Sequence, residues 1–216
     1  HAAQVAEAYQ KGVTNRAVKG PEIRTDSASV RKINLDRGIN EALQELRGAA
    51  AGDRLLLSGY LLVARDAAHL KWHEAIQRGE PLPEYLTRYP IYYAGPAATP
   101  EGKVIGSFGP TTAQRMDSYG DELMSRGASL ITLAKGNRTK AWVRACKTYG
   151  GFYLGTIGGA AALIAEENIL ESEVLDFPEL GMEAVRRIRV QDLLAFVIID
   201  NQGRDLYNPA VKASGR

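Results

Sequence analysis

The alternation of apolar and polar residues divides the chain into short strand-like and helix-like segments. A two-residue period or a short apolar run predicts a strand, and a period between three and four residues predicts a helix. The predicted strands are residues 30–35, 54–63, 91–96, 103–108, 129–134, a segment within 150–159, 169–177 and 194–200. The predicted helices are residues 2–11, 36–47, 66–78, 111–125 and 139–147. Strands and helices therefore alternate through the middle of the chain.

The segment Gly109–Tyr119 carries the most specific arrangement of polar groups. In the helix predicted to follow the strand 103–108, Pro110 suits the first position, and the two threonines after it fall in the first turn. Thr111 and Arg115 are four residues apart, so we expect them on one helix face, about 5.4 Å apart. Backbone N–H groups, a hydroxyl and a guanidinium would then form a receptor for a carboxylate or phosphate. The pattern alone favours an ordinary strand–turn–helix capped by threonine.

Composition narrows the class of protein. With 216 residues, 45% of them hydrophobic and 24% charged, the chain suits one globular domain with a short leader. A net charge of +2 favours no nucleic-acid partner, and no apolar run approaches the length of a membrane span. Cys146 is the only cysteine, which excludes internal disulfides and favours a reducing compartment. We expect its thiol to be buried and inert, and one thiol cannot hold an iron–sulfur cluster.

Two further cations stand at predicted strand ends. Arg65 follows the strand 54–63 and precedes a helix, and Lys135 follows the strand 129–134. The carboxyl ends of strands are where α/β folds bind ligands. The same pattern also fits solvated charges beside a helix that is capped by Asp66.

Two histidines, His69 and His73, are four residues apart and could share one helix face. A zinc site needs further ligands at suitable spacing, and the sequence offers none in view. We therefore expect no metal site in this chain. His69 is expected to orient the turn at Arg65, and His73 is expected at the surface.

Five motifs in order resemble one known family. They are Ala-Arg-Asp-Ala-Ala-His (64–69), Tyr-Ala-Gly-Pro (93–96), Gly-Pro-Thr-Thr-Ala-x-Arg-Met-Asp-Ser-Tyr (109–119), Leu-Ala-Lys-Gly-Asn (133–137) and Glu-Leu-Gly-Met-Glu-Ala (179–184). Together they resemble the C-terminal domain of class I, iron–sulfur fumarate hydratases and the related L-tartrate dehydratase β subunits, over about residues 50–207. Gln114 departs from the glycine that is usual there, and a bulkier residue could narrow the pocket. Residues 1–30 match only weakly.

The resemblance implies a fold and a domain organisation. The fold would be an α/β domain of the swivelling β/β/α type, with a mixed central sheet and flanking helices. Residues 1–30 would form a leader or interdomain linker, residues 31–207 the fumarase C-terminal domain and residues 208–216 a loose tail. Because the chain begins at His1 without an initiator methionine, we expect it to be cut from a longer polypeptide.

The resemblance also implies the site residues. Thr111 would be catalytic, removing the C3 proton of malate in the dehydration direction. Arg65, Arg115 and Lys135 would bind substrate, since arginine can hold a carboxylate bidentately and lysine adds a point charge. A [4Fe–4S] cluster would be held by three cysteines of the N-terminal domain, which is absent here, and this chain would ligate no metal.

The implied function is half of a hydro-lyase that interconverts fumarate and (S)-malate, inactive without its N-terminal cluster-binding domain. An L-tartrate dehydratase β-type domain and a non-catalytic dicarboxylate-binding module remain open as alternatives. The expected partners are that N-terminal domain, a small dicarboxylate and a second copy of the full enzyme, with no nucleic acid and no membrane. The expected location is the cytoplasm or another reducing compartment, such as the mitochondrial matrix.

Overall fold

The computed structural model describes residues 30–97, 99–156 and 168–209. The predicted helix 2–11, the leader up to residue 29, and residues 157–159 and 210–216 lie outside this part. The strands are β1 (Arg31–Asn34), β2 (Arg54–Val63), β3 (Ile91–Tyr92), β4 (Ala94–Pro96), β5 (Phe108–Pro110), β6 (Ile131–Ala134), β7 (Phe152–Thr156), β8 (Ile169–Asp176) and β9 (Val185–Ile199). The α-helices are α1 (Ile39–Glu45), α2 (Asp66–Gln77), α3 (Tyr85–Arg88), α4 (Gly120–Met124) and α5 (Lys140–Tyr149). Two 3-10 helices span Ala113–Tyr119 and Pro178–Glu183.

The central sheet closes on itself. Strands β2, β3, β6 and β7 pair in parallel in that order, and β9 runs antiparallel to both β7 and β2. Strand β1 adds to β2 in parallel, β8 adds to β9 antiparallel, and β4 pairs with β5 in a separate hairpin. The predicted α/β class, with a mixed central sheet and flanking helices, is confirmed. Among the described residues no helix is both long and apolar enough to span a membrane.

Alternation along β2 shows how the strands build two hydrophobic cores. Leu55, Leu57 and Leu61 point to one side and Leu62 to the other, because successive side chains in a strand face opposite ways. The first cluster holds Leu57 of β2, Tyr92 of β3, Leu133 of β6, Leu154 of β7 and Val197 of β9. The second holds Trp72 of α2, Leu123 of α4 and Trp142 of α5. One core therefore fills the space inside the closed sheet, and the other seats these helices on its outside.

Strand β9 is longer than the sequence indicates. The predicted strand 194–200 begins instead at Val185, and its first half pairs with β2 on one edge and β8 on the other. Val185 and Ile188 are buried there, while the arginines between them are only half-buried. The arginines at positions 186, 187 and 189 interrupt the apolar pattern and concealed the strand in the sequence. Pairing on both edges nevertheless orders this segment as a strand.

The predicted strand 103–108 is wrong except at its last residue. Residues 104–107 form bends, and Phe108 begins the three-residue strand β5. Its partner β4 is also three residues long, and one further backbone hydrogen bond, from the Ala97 N–H to the Ser107 carbonyl oxygen at 2.8 Å, continues the pairing beyond the two strands.

The predicted helix 111–125 is also wrong at its start. Pro110 ends β5, Thr111 and Thr112 are extended, a 3-10 helix covers Ala113–Tyr119, and only Gly120–Met124 is α-helical. The helical period is present, but sheet-like hydrogen bonds to β3 and β6 take up the backbone where the helix was expected to begin.

A register shift in β2 depends on one glycine. The pairing with β9 shifts between Leu57 and Gly59, and Gly59 has φ of 122°. A β-carbon there would lie 2.6 Å from the backbone nitrogen of Asp36. Both the backbone conformation and the space at this position therefore exclude larger residues.

Replacement of Gly59 by alanine is expected to destabilise the fold strongly. Gly48→Ala is the matched control, because Gly48 also has positive φ but would have no atom within 4 Å of the new β-carbon. Backbone strain alone costs about 1–2 kcal/mol, and overpacking adds about 1–3 kcal/mol at Gly59 only. Urea unfolding followed by circular dichroism measures both losses. Equal losses in the two variants would contradict this account.

Candidate active site

The four residues predicted to form the site lie at the carboxyl ends of the parallel strands. Arg65 comes two residues after β2, and Lys135 follows β6 directly. Thr111 hydrogen-bonds to the residues that follow β3 and β6, and Arg115 lies in the first 3-10 helix. The structure thus brings all four to one edge of the sheet. Their chemical roles remain a prediction.

Thr111 fills the gap that opens where β3 and β6 end. Its N–H donates to the Tyr93 carbonyl oxygen at 2.8 Å, and its own carbonyl accepts the Lys135 N–H at 3.2 Å. The Ala113 N–H then donates to the Lys135 carbonyl at 2.9 Å. These bonds replace the free helix-start N–H groups that the sequence predicts, so the anion receptor is not a helix N-terminus. Thr111 and Lys135 are held as neighbours by backbone pairing.

The Thr111 hydroxyl also has a fixed partner. Its Oγ1 donates to the Tyr93 carbonyl oxygen at 3.1 Å. A hydroxyl that donates its hydrogen keeps its oxygen lone pairs available as acceptors. The side chain is half-buried, so it is reachable from the strand-end surface.

Arg65 is half-buried and held on several sides. Its Nη2 pairs with Glu183 Oε1 at 3.1 Å. Its carbonyl oxygen accepts hydrogen bonds from the backbone N–H and the ring Nδ1 of His69, at 3.1 and 2.8 Å. The expectation that His69 orients the turn at Arg65 is therefore confirmed.

Arg115 pairs with Asp66, the first residue of α2. The distance from Arg115 Nη2 to Asp66 Oδ2 is 2.7 Å, although 62% of the Arg115 side chain stays exposed. The N-cap position of α2 is occupied by Arg65 and Asp66 is already inside the helix, so the interpretation of Asp66 as the helix cap is wrong. Arg65 is not a solvated charge either, because only 25% of its side chain is exposed.

The charges at this edge sum to an excess of positive charge. Arg65, Arg115 and Lys135 face two carboxylates, those of Asp66 and Glu183. Lys135 is exposed and forms no ion pair within the described part of the chain. Such an arrangement favours a small anion with more than one carboxylate, which the guanidinium groups can bind bidentately.

A buried ion pair lies behind the site. Arg138 Nε is 2.8 Å from Asp117 Oδ1, and neither side chain is more than slightly exposed. The other oxygen of Asp117 accepts the Thr139 N–H at 2.6 Å. Asp117 belongs to the 3-10 helix after Thr111, and Arg138 belongs to the loop after Lys135. The pair therefore joins the two segments that supply the hydroxyl and the lysine.

Aromatic rings surround the Arg138 guanidinium. Its carbon lies 3.2 Å from the Trp142 ring centre, 4.9 Å from that of Tyr153 and 5.2 Å from that of Tyr93. Cation–π attraction of this kind is strongest when water is excluded. Tyr153 also donates its hydroxyl hydrogen to the Gly136 carbonyl at 2.8 Å. The contacts of Arg138 and Tyr153 therefore hold the loop that follows Lys135 in place.

His69 is a buried, neutral histidine. Because its Nδ1 faces a carbonyl oxygen, Nδ1 carries the ring hydrogen. Burial lowers the pKa of His69 to about 4, and the positive charge of Arg138 acts in the same direction. His73 instead lies near the surface, with Nδ1 2.7 Å from Glu122 Oε2. The two histidines face different partners.

The side chains of this chain do not fit an iron–sulfur cluster. Cys146 is buried in α5, and burial raises the pKa of its thiol to about 12, so the thiolate needed for ligation is disfavoured. Within the described ranges no three histidine, cysteine or acidic side chains are grouped to hold a metal ion.

The fold and the site together define an α/β domain with a cationic site at its strand ends. Residues 7–210 match the family described as Fumarase C-terminus. The chain belongs to that family, and the resemblance found in its motifs is confirmed.

Relatives of known name agree with this assignment. The chain is 55% identical over 188 residues to fumarate hydratase 2 of Leishmania major, covering 87% of this chain and 33% of that protein. It is 52% identical over 176 residues to the aerobic class I fumarate hydratase of Salmonella typhimurium, covering 82% and 30%. It is 32% identical over 173 residues to the Methanocaldococcus jannaschii protein named "Putative L(+)-tartrate dehydratase subunit beta", covering 78% and 89%. The chain spans about a third of the length of the two fumarate hydratases.

Sequence reasoning missed the groups that hold the predicted residues in place. These are Asp66, Gly95, Asp117, Arg138 and Glu183. Each lies within or directly beside one of the five motifs, which was a usable signal. Their contacts cross between motifs, however, and spacing along the chain does not reveal such contacts.

Loss of Arg138 is expected to destabilise the domain. Arg138→Leu leaves the Asp117 carboxylate buried without its counter-charge, which costs about 3–5 kcal/mol. Arg78→Leu is the control, because the Arg78–Glu80 pair is more than half exposed on both sides and such pairs contribute little to stability. Urea unfolding at pH 7 measures the difference. A loss at Arg138 no larger than that at Arg78 would contradict the assigned role.

Stability is expected to fall in acid partly through His69. Its pKa is lower in the folded chain than in the unfolded chain, so its contribution is complete above about pH 6.5 and is lost as pH falls toward 4. Between pH 7 and 4.5 this loss is on the order of 2 kcal/mol. His69→Gln cannot titrate, so its unfolding free energy should fall less over that range. Parallel pH dependence in the two proteins would argue against this.

Proposed function

We propose that this chain is the substrate-binding and catalytic C-terminal portion of a hydro-lyase that interconverts fumarate and (S)-malate. The observation that carries the proposal is the juxtaposition of Arg65, Thr111, Arg115 and Lys135 at one sheet edge. Relatives with 55% and 52% identity that are named fumarate hydratases support the choice of reaction.

The cations account for substrate binding in this proposal. Fumarate and malate carry two carboxylates, and Arg65 and Arg115 each offer a guanidinium that can bind one. Adding water to the double bond builds extra negative charge on one carboxylate, which nearby fixed cations stabilise best where water is excluded. Lys135 adds a third positive charge without requiring a fixed geometry.

Thr111 is the proton-transfer group in this proposal. Its hydroxyl hydrogen is directed to the Tyr93 carbonyl, which leaves the oxygen free to accept. In the dehydration direction the hydroxyl would first release its own hydrogen to water, and the alkoxide, stabilised by the positive charge of the neighbouring lysine, would then take the C3 proton of malate. An unassisted threonine hydroxyl is a poor base, so these neighbours matter to the proposal.

The rest of the active site belongs to another part of the enzyme in this proposal. The departing hydroxyl needs a Lewis acid, and a [4Fe–4S] cluster held by cysteines of an N-terminal domain would supply it when bound. That domain would cover the strand-end surface, and the full enzyme would form a homodimer. A reducing compartment, the cytoplasm or the mitochondrial matrix, suits both the cluster and Cys146.

A second candidate function is dehydration of L-tartrate. It is favoured by the Methanocaldococcus relative, 89% of which is matched by this chain. Tartrate has the same two carboxylates with one more hydroxyl, so the same cations could bind it. The higher identity to the fumarate hydratases places this candidate second.

The decisive experiment is an anaerobic assay of the full-length protein that contains this chain, reconstituted with iron and sulfide. Loss of fumarate absorbance is expected in the wild type, and tartrate is assayed in parallel. Thr111→Val should lower kcat at least about 100-fold with little change in KM, because general-base catalysis contributes about 10²–10⁴-fold.

Thr112→Val is the matched control for that substitution. Thr112 is the exposed neighbour of Thr111, and its loss of a hydroxyl should leave turnover near the wild-type rate. Unchanged turnover in Thr111→Val would overturn the proton-transfer role. Tartrate turnover without fumarate turnover would select the second candidate, and binding without turnover of either would indicate a non-catalytic dicarboxylate-binding module.

A further inference from the structure

Arg65 contacts two groups that the sequence around it does not predict. One is the Glu183 carboxylate, 3.1 Å from Nη2. The other is Gly95 of β4, where an added β-carbon would lie 2.7 Å from the guanidinium carbon and 2.8 Å from Nη1. The planar guanidinium therefore lies directly against the β4 backbone and is bound at one end by an acid. The Nε atom is buried and has no partner within the described residues.

Glu183 reaches Arg65 from the end of the second 3-10 helix, which is itself fixed to α2. Glu179 on the same helix pairs with Lys71 of α2 at 2.8 Å. The Lys71 ammonium lies 5.0 Å from the ring centre of Phe177, the residue before that helix. The segment that carries Glu183 is thus attached to the helix that Arg65 precedes. Because the backbone kinks at Gly181, between Glu179 and Glu183, the Glu179–Lys71 pair fixes only the start of this segment, and the Glu183 carboxylate is held by its own contact with Arg65.

Gly95 leaves room for the other side of the guanidinium group, because it has no side chain. Its φ lies outside the left-handed region, so other residues could adopt its backbone conformation. The need for glycine is therefore steric, and the group it makes room for is the Arg65 side chain.

We propose that Glu183 and Gly95 are positioning residues for Arg65, which together set the direction in which its guanidinium meets a substrate carboxylate. The inference rests on the proposed function for the identity of that substrate. A role in stability alone is a poorer account of Glu183. The Arg65–Glu183 pair is partly exposed, at 25% and 35%, and such pairs stabilise a fold little. A fixed hydrogen bond at one end of the planar guanidinium group instead sets its orientation.

The test uses Glu183 variants of the reconstituted full-length protein. Glu183→Ala is expected to lower kcat/KM about tenfold, since a misplacement of ~1 Å can cost up to about 100-fold. Glu183→Gln keeps an oxygen acceptor at the same reach and should recover most of that loss. Glu179→Ala, on the same helix but paired with Lys71, is the matched control and should stay within about twofold of wild type. A loss in Glu179→Ala equal to that in Glu183→Ala would overturn the inference.

Gly95→Ala tests the steric side and should lower kcat/KM by at least the same factor. The distinguishing measurement repeats both substitutions in an Arg65→Lys background, which keeps the charge but removes the planar group. If Glu183 and Gly95 act through the guanidinium, neither substitution should reduce kcat/KM much further there. Undiminished losses in that background would mean that they act elsewhere, and would refute the inference.

Failure of the proposed function would show up separately. Calorimetric binding of succinate, a saturated four-carbon dicarboxylate, is measured on the same variants. If no substrate is turned over but succinate binding still weakens in Gly95→Ala and Glu183→Ala only when Arg65 is present, the positioning role stands and the reaction assignment fails. If the wild type turns over fumarate, but Glu183→Ala and Gly95→Ala have the same effects on kcat/KM and on succinate binding with and without Arg65, only the positioning role fails.

Discussion

The buried ion pair between Asp117 and Arg138 is the interaction on which the site depends. It joins the 3-10 helix that follows Thr111 to the loop that follows Lys135. Two opposite charges out of reach of water must stay together, because separating them leaves an uncompensated charge in the interior. The aromatic rings around Arg138 exclude water and strengthen this requirement. The hydroxyl and the lysine at the surface therefore have one stable relative position.

The closed sheet supplies the frame around that pair. Parallel strands all end at one edge, so groups that follow β2, β3 and β6 meet there although they are far apart in the chain. Strand β9 completes the frame by pairing with both β7 and β2. The inner core fills the closed sheet and leaves the functional groups at its rim. Side chains on rigid strand ends need little reorganisation when a ligand binds.

A buried neutral histidine and two partly exposed carboxylates hold the predicted arginines in different ways. His69 stays neutral, since burial lowers its pKa, and its ring N–H holds the Arg65 carbonyl in place. The carboxylates of Asp66 and Glu183 bind the two arginines at their side chains. Each predicted substrate-binding arginine is thus held by protein groups before any ligand binds. The excess of cations over carboxylates still leaves the edge attractive to an anion.

The sequence by itself determined the α/β class, the extent of β2 and α2 to within a residue or two, and the residues that meet at the site. Local period and motif wording carry that information. It did not determine how Thr111 and Arg115 come together, because a helical period predicted one helix where backbone pairing to β3 and β6 prevails. Glu183, Gly95 and the Asp117–Arg138 pair were decided by tertiary structure alone. Their contacts join residues distant in the chain, and only packing against a common sheet brings such residues within hydrogen-bonding distance.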